Sequence, residues 1–303
     1  MGESKRIGMC TGVSRLDDAA FIYSAWSGLK RAKEDYGLET TVLESETPDD
    51  DEKHLRYLAE NGFDLVWGVG FHMEEAMLAT AADYPDTAFG MIDVSRETVP
   101  ENVVAITFRE EEGSFLAGYA AAKTTETKKI GFVGGMDVPL IRRFRTGYEA
   151  GAANADPSVE VVVEYAGSFL SYQKGQELAK QLFDGGADII FHAAGTLGKG
   201  IIRYAKDAGT SAGLVIGVDI DQSFLAPSHV LTSMIKDLEG SLFRAIGEFT
   251  KGDLKLGSIR NFGLADGAVS LTALGTDRAP AGLSDELAEV KKKIVSGEIT
   301  VPV

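Results

Sequence analysis

A chain of 303 residues is too long for one small domain and suits two α/β domains. Its composition, 44% hydrophobic and 25% charged, is that of a globular protein, and a formal net charge of −16 argues against nucleic acid or an anionic membrane surface as a partner of the folded body. A single cysteine, Cys10, rules out a disulfide framework or a cysteine-rich metal site, and no run of 18 apolar residues is present to span a bilayer.

In chain order, residues 7–11 read as an apolar strand ending in Thr11-Gly12. Residues 21–33 carry Phe21, Ala25, Leu29 and Ala32 at helical spacing, with Asp17 or Asp18 as the natural N-cap. A strand over 40–43 precedes a helix opened by Pro48 and the acidic run Asp49-Asp50-Asp51-Glu52, which the helix macrodipole favours. Strands follow over 64–69, ending in Gly68-Val69-Gly70-Phe71, over 88–92, ending at Asp93, and over 103–108, with a helix over 73–82. The pattern then restarts. Helices over 113–123, 141–153, 173–183 and 197–208 alternate with strands over 129–133, 159–165, 188–191 and 214–218. A short strand over 230–233 leads to Lys236; a helix over 238–249, a loop with a short strand over 252–267, and a helix over 283–295 complete the chain. This alternation predicts parallel sheets with helices on both faces in each half.

Open α/β sheets bind ligands at the carboxyl ends of their strands. Thr11, Asp18, Phe21, Phe71 and Asp93 collect there in the first half, and Met136, Phe191, Gly195, Thr196, Asp219 and Lys236 in the second. Phenylalanine faces stack on flat rings, and carboxylates accept hydrogen bonds from ring N–H groups or sugar hydroxyls. Asp219 and Lys236, an acceptor-only and a donor-only group delivered by two strands, suit a ligand with hydroxyl groups; spacing alone leaves a structural ion pair equally open. A strand-end phenylalanine also fits a core role, and an aspartate after a strand a helix cap.

Catalytic constellations are poor. There is no G-x-S-x-G elbow, and His54, His72, His192 and His229 lack metal-ligand spacing. The segment Gly195-Thr196-Leu197-Gly198-Lys199-Gly200 lacks the hydroxyl with which a phosphate loop holds magnesium, and acidic strand ends repel phosphate, so an uncharged ligand and no cofactor are expected. Arg142, Arg143 and Arg145 read as interlobe or surface salt bridges.

Leu16-Asp17-Asp18-Ala19-Ala20-Phe21 with Ser24-Ala25-Trp26-Ser27-Gly28 resembles the D-D-x-S-F-N-Q-S-A-W-x-G signature of the basic membrane protein family, the purine nucleoside receptor A-like lipoproteins of ABC importers. Glu110-Glu111-Glu112-Gly113-Ser114-Phe115-Leu116-Ala117-Gly118, Gly131-Phe132-Val133-Gly134-Gly135-Met136, Tyr165-Ala166-Gly167-Ser168-Phe169 and Gly217-Val218-Asp219 extend the likeness over nearly the whole chain. The resemblance implies a type I periplasmic-binding-protein fold: two doubly wound parallel-sheet lobes, 1–108 plus 235–261 and 109–234 plus 262–303, joined by three crossovers. It implies a binding protein rather than an enzyme, closing its lobes on a nucleoside, purine favoured, and delivering it to an ABC permease. The base would lie between aromatic rings, Phe21 or Phe71 and Phe191. Asp219 and Lys236 would hold ribose hydroxyls and Asp18 would face the base. Asp93 and Met136 match other cleft positions, and Gly195 lies in the family's glycine-rich segment. The expected protein is monomeric and extracytoplasmic, tethered in its full-length form by a lipidated cysteine absent from this chain. Two departures bear on base preference: Ile22 replaces the family's asparagine, and His192 adds a hydrogen-bonding group. A sugar or another small polar ligand is the alternative within binding proteins. A nucleoside-acting enzyme using Asp18, Asp93 or Asp219 is the alternative outside them.

Overall fold

Short β-branched and aromatic runs punctuated by glycine-rich turns build two separate six-stranded sheets. The computed structural model describes residues 4–12, 20–209 and 213–303. The chain divides into two units, Met1–Phe108 with Asp237–Phe262, and Arg109–Lys236 with Gly263–Val303. The backbone therefore passes from one unit to the other three times, after Phe108, Lys236 and Phe262.

In the first unit, β1 (Arg6–Cys10), β2 (Glu39–Leu43), β3 (Leu65–Val69), β4 (Ala88–Ile92), β5 (Val103–Phe108) and β11 (Ser258–Phe262) lie in the order β11-β5-β4-β3-β1-β2. All neighbours are parallel. β3 and β4 are buried at every position, as central parallel strands covered on both faces must be. Helix α1 (Phe21–Tyr36) packs on α8 (Leu238–Lys251), and α2 (Pro48–Glu60) on α3 (Glu74–Asp83). Thr47 caps α2 in a reciprocal box with Asp50, so the acidic run serves its helix terminus as expected. Ala20 holds the N-cap position of α1; Asp17 and Asp18, the expected caps, lie outside the described residues.

The second unit repeats the arrangement. Here β6 (Lys129–Gly134), β7 (Glu160–Tyr165), β8 (Ile189–Ala193), β9 (Leu214–Asp219), β10 (Val230–Lys236) and β12 (Val269–Leu271) lie in the order β12-β10-β9-β8-β6-β7. β12, absent from the predicted elements, is antiparallel to β10, so this sheet is parallel except at one edge. β10 runs three residues beyond the expected strand, which keeps Ile235 and Lys236 in the second unit; Phe262 completes β11 in the first. Helix α4 (Glu110–Thr124) packs on α5 (Pro139–Ala155), and α6 (Tyr172–Asp184) on α7 (Thr196–Ala208); α9 (Leu283–Val295) lies against α4. α4 begins three residues earlier than predicted, because Glu110, Glu111 and Glu112 form its first turn, where the macrodipole favours acids.

Glycine sets the α4–α5 spacing. A Cβ on Gly118 would lie 2.0 Å from the Tyr148 carbonyl oxygen, one on Gly147 2.2 Å from that of Glu111, and one on Gly151 1.9 Å from that of Phe115. The two backbones approach as closely as they do only because these positions lack side chains.

Candidate functional site

With strand orders of 2-1-3-4-5 type in both sheets, the connections reverse direction at the first strand, and a crevice opens beyond its carboxyl end and that of its third-strand neighbour. In the first unit these are the ends of β1 and β3, floored by Gly12 and Gly70 with φ of 64° and 110°. A Cβ on Gly70 would lie 3.8 Å from the Phe21 ring, and one on Gly12 would overlap the imidazole of His72. Phe71 meets His72 edge-on at 6.0 Å between ring centroids. Two of the proposed aromatic residues, Phe21 and Phe71, therefore belong to one crevice, and His72, set aside in the sequence, stands beside them with its ring against Gly12. Burial by surrounding protein lowers the His72 pKa, opposed by the charge of Asp51.

The second unit builds the same crevice at the ends of β6 and β8, from Gly135 and Gly195. A Cβ on Gly135 would lie 2.2 Å from the Phe169 ring, and one on Gly195 3.3 Å from the Phe169 Cβ. The Phe169 carbonyl accepts from the Leu197 amide at 3.0 Å, tying this ring to the start of α7. Met136 follows β6 and is 39% exposed.

Phe191 differs from expectation. It is 0% exposed, with ring centroids 5.8 Å from Phe132, 6.4 Å from Phe144 and 5.2 Å from Tyr148. The alternation of a buried strand turns it into the aromatic core under α5, so it offers no face to a ligand. Phe169, partly exposed at the carboxyl edge, is the ring that sequence reasoning missed; its signal was the Gly167-Ser168-Phe169 turn after β7.

Asp93 and Asp219 end the corresponding strands β4 and β9 and are buried, at 3% and 8% exposure. Both adopt the left-handed region, with φ of 65° and 67°; among the described residues only Lys128 shares this behaviour without being glycine. At Asp219 the Ile220 amide donates to the Val218 carbonyl at 2.8 Å, closing a three-residue γ-turn of the strained hand. Gln222 braces it: its Oε1 accepts from the Val218 backbone N–H at 3.0 Å, while its own backbone N–H donates to Ser233 Oγ at 3.0 Å. Residues held in strained backbone conformations by their surroundings cluster at functional sites.

Lys236 stands one residue beyond Ile235, which is in register with Asp219. The two strands thus bring Asp219 and Lys236 to one edge, as their spacing suggests. Lys236 is 1% exposed, and its Nζ lies 2.9 Å from Oε1 of the fully buried Glu110. Arg143 Nε donates to the other Glu110 oxygen at 3.0 Å. Glu112 accepts from the Leu264 amide at 2.8 Å and pairs with Arg109 at 3.1 Å. The first turn of α4 thereby grips the chain beside each of its three passages, at Arg109, Lys236 and Leu264. Glu111 lies between: burial, with the neighbouring charge of Glu110, pushes its carboxyl up to about 7.

Of the remaining candidates, Asp18 lies outside the described residues. Ile22 and His192 are buried. Ile22 faces inward on α1, and the His192 ring fills the space above Gly198. Burial pushes the His192 pKa down to about 4, opposed by the adjoining Gln222 side chain. Arg142 and Arg145 form pairs with Asp137 and Glu149 within the second unit, and Arg143 belongs to the Glu110 cluster. No group of histidine, cysteine and acidic residues able to hold a metal occurs among the described residues.

Two doubly wound sheets of matching strand order, a chain passing between them three times, and glycine-floored crevices flanked by aromatic rings and buried aspartates define a binding protein of the periplasmic type I fold. A solute-binding protein of an ABC transporter system from Aeropyrum pernix K1 matches with a TM-score of 0.90 at 25% identity, over 98% of this chain and 94% of that one. The chain belongs to the family of PnrA-like ABC transporter substrate-binding proteins, whose family model matches residues 5–303. It is 38% identical over 293 residues to basic membrane protein A1 of Borrelia garinii subsp. bavariensis, covering 94% of this chain and 85% of that protein. It is 34% identical over 311 residues to the ABC transporter nucleoside-binding protein BmpA of Lactococcus lactis subsp. cremoris, covering 96% and 87%. Members of this family are substrate-binding proteins, not enzymes: they work outside the cytoplasm and deliver a small molecule to a permease. No helix among the described residues is long and apolar enough to cross a membrane.

Proposed function

We propose that the chain binds a nucleoside, with purines preferred, and presents it to its permease as a monomer tethered by a lipidated N-terminal cysteine in the full-length protein. The observation that carries this reading is the matched pair of carboxyl edges. Each combines a glycine-floored crevice, an aromatic ring (Phe21 or Phe169) and a strained, buried aspartate (Asp93 or Asp219). Rings receive the base by stacking, and acceptor-only carboxylates receive ribose hydroxyls and base N–H groups. An uncharged ligand matches an edge whose aspartates repel phosphate. Lys236 donates to a ribose oxygen beside Asp219, and Met136 and Gly195 complete the second edge. The name of the lactococcal relative agrees with this chemistry.

A thermal-shift screen of ligand-stripped protein with purine nucleosides, pyrimidine nucleosides, free bases, pentoses and hexoses tests the reading. Ligand at 100 times its Kd stabilises by about 2.7 kcal/mol, a shift of several degrees for units of this size. Shifts with nucleosides, largest with purines, are expected; a response to sugars alone overturns the nucleoside assignment. Asp219→Ala weakens binding by about 1.5–3 kcal/mol, the range for a hydrogen bond to a charged group, as read by calorimetric titration.

A further inference from the structure

The buried cluster at the start of α4 contains more charge than a passive contact needs. Lys236 ends β10 with its ammonium 1% exposed, and a buried ammonium requires a counter-charge and a fixed acceptor. Glu110 supplies the counter-charge at 2.9 Å. Glu110 is itself 0% exposed and is the first residue of α4, where the macrodipole favours a carboxylate. Its second oxygen accepts from Arg143 Nε at 3.0 Å. Arg143 in turn is only partly buried and sits on α5, held against this turn by the close passage of Gly147 over the Glu111 carbonyl. The result is a relay of alternating charge, Arg143 to Glu110 to Lys236, running from α5 to the strand end beside Asp219.

We propose that Glu110 is a positioning residue for ligand binding: it holds the Lys236 ammonium in place and charged for the ligand's hydroxyl groups, with Arg143 fixing Glu110. This rests on the reading that Lys236 and Asp219 receive ribose hydroxyls. With glutamine at position 110 the oxygen remains but the counter-charge is gone, leaving the buried Lys236 ammonium beside the partly buried Arg143 guanidinium. The bond from Lys236 to the ligand then falls from the charged to the neutral class, a loss of about tenfold in affinity for a hydroxyl-bearing ligand.

The test titrates inosine and 2′,3′-dideoxyinosine against wild type, Glu110→Gln, Glu110→Asp, Arg143→Gln, Lys236→Met and the Glu110→Gln/Lys236→Met double variant. Wild type is expected to prefer inosine. Glu110→Gln loses about tenfold of that preference while its affinity for the dideoxy compound stays within about twofold. Glu110→Asp restores part of the preference, and the double variant loses no more than Lys236→Met alone. Equal weakening of both probes by Glu110→Gln assigns Glu110 a structural role and overturns the proposal, as does a preference left intact. Should Glu110→Gln not fold, Arg143→Gln decides: it lowers the preference, to a smaller degree, and an unchanged preference overturns the proposal. A wild type without preference for inosine, or Lys236→Met retaining it, instead brings down the underlying assignment of Lys236, and this proposal with it.

Discussion

Asp219 illustrates how a single residue can be held against its own conformational preference. The left-handed region costs a non-glycine residue about 1–2 kcal/mol, and Gln222 and Ser233 maintain the turn. Asp219→Gly is therefore expected to leave the melting temperature unchanged or raise it while ligand affinity falls, a pattern read from melting curves with and without nucleoside. A drop in ligand-free stability would show instead that the carboxylate serves the fold. The two rings of the second unit separate in the same way. Phe191→Leu, in a fully buried aromatic cluster, lowers stability by about 1–3 kcal/mol and leaves affinity unchanged below the melting transition. Phe169→Ala does the reverse. Both roles were legible only in part, since period-2 alternation says which residues share a face but not which face meets helices, and a loop residue such as Phe169 has no period at all.

At the scale of elements, α4 joins two requirements. Its first turn carries the acids that grip the three chain passages, and Gly118 on α4 with Gly147 and Gly151 on α5 lets the two helices approach to backbone contact. Gly151→Ala inserts a methyl group 1.9 Å from the Phe115 carbonyl oxygen, which is backbone and cannot rotate away. A loss of about 1–3 kcal/mol is expected from denaturant unfolding, with Gly209→Ala as a control for a glycine in open space but at positive φ. The triple acid run was recognisable in the sequence as a family signature. Beside the local Arg109, its partners come from positions 143, 236 and 264, and no local pattern could have paired those.

For the whole molecule, two buried groups set opposing pH dependences. Glu111 rises from 4.5 to about 7, so the native state holds its proton more tightly than the unfolded chain; its contribution is full below about 4.5 and is lost as pH rises through 7. His192 falls from 6.5 to about 4, so its contribution is full above about 6.5 and is lost as pH falls through 4. Each is on the order of 3 kcal/mol, and between about pH 4.5 and 6.5 their slopes oppose. Denaturant unfolding across pH should thus show Glu111→Gln gaining on wild type from pH 5 to pH 8, and His192→Gln gaining on wild type as pH drops from 7 to 4. Parallel curves for variant and wild type would contradict the shift of the group concerned. The net charge of −16 adds a term of its own: salt screens self-repulsion, so the melting temperature should climb between low and physiological ionic strength.

The sequence by itself determined the alternation of strands and helices, the family, the absence of a nucleophile elbow, and the strand ends at which polar residues gather. Those features are local, written in periodicity, turn residues and short motifs. The antiparallel edge strand β12 and the extension of β10 to Lys236 were decided by pairing partners distant in the chain. So was the exchange of Phe191 for Phe169 as the ring at the second carboxyl edge. The strain at Asp93 and Asp219 belongs to the same class, because a left-handed aspartate is unfavourable locally and persists only where tertiary bonds impose it. The Arg143–Glu110–Lys236 relay exists because two helices and a strand, separated in sequence by up to 126 residues, converge where burial makes each charge depend on the next.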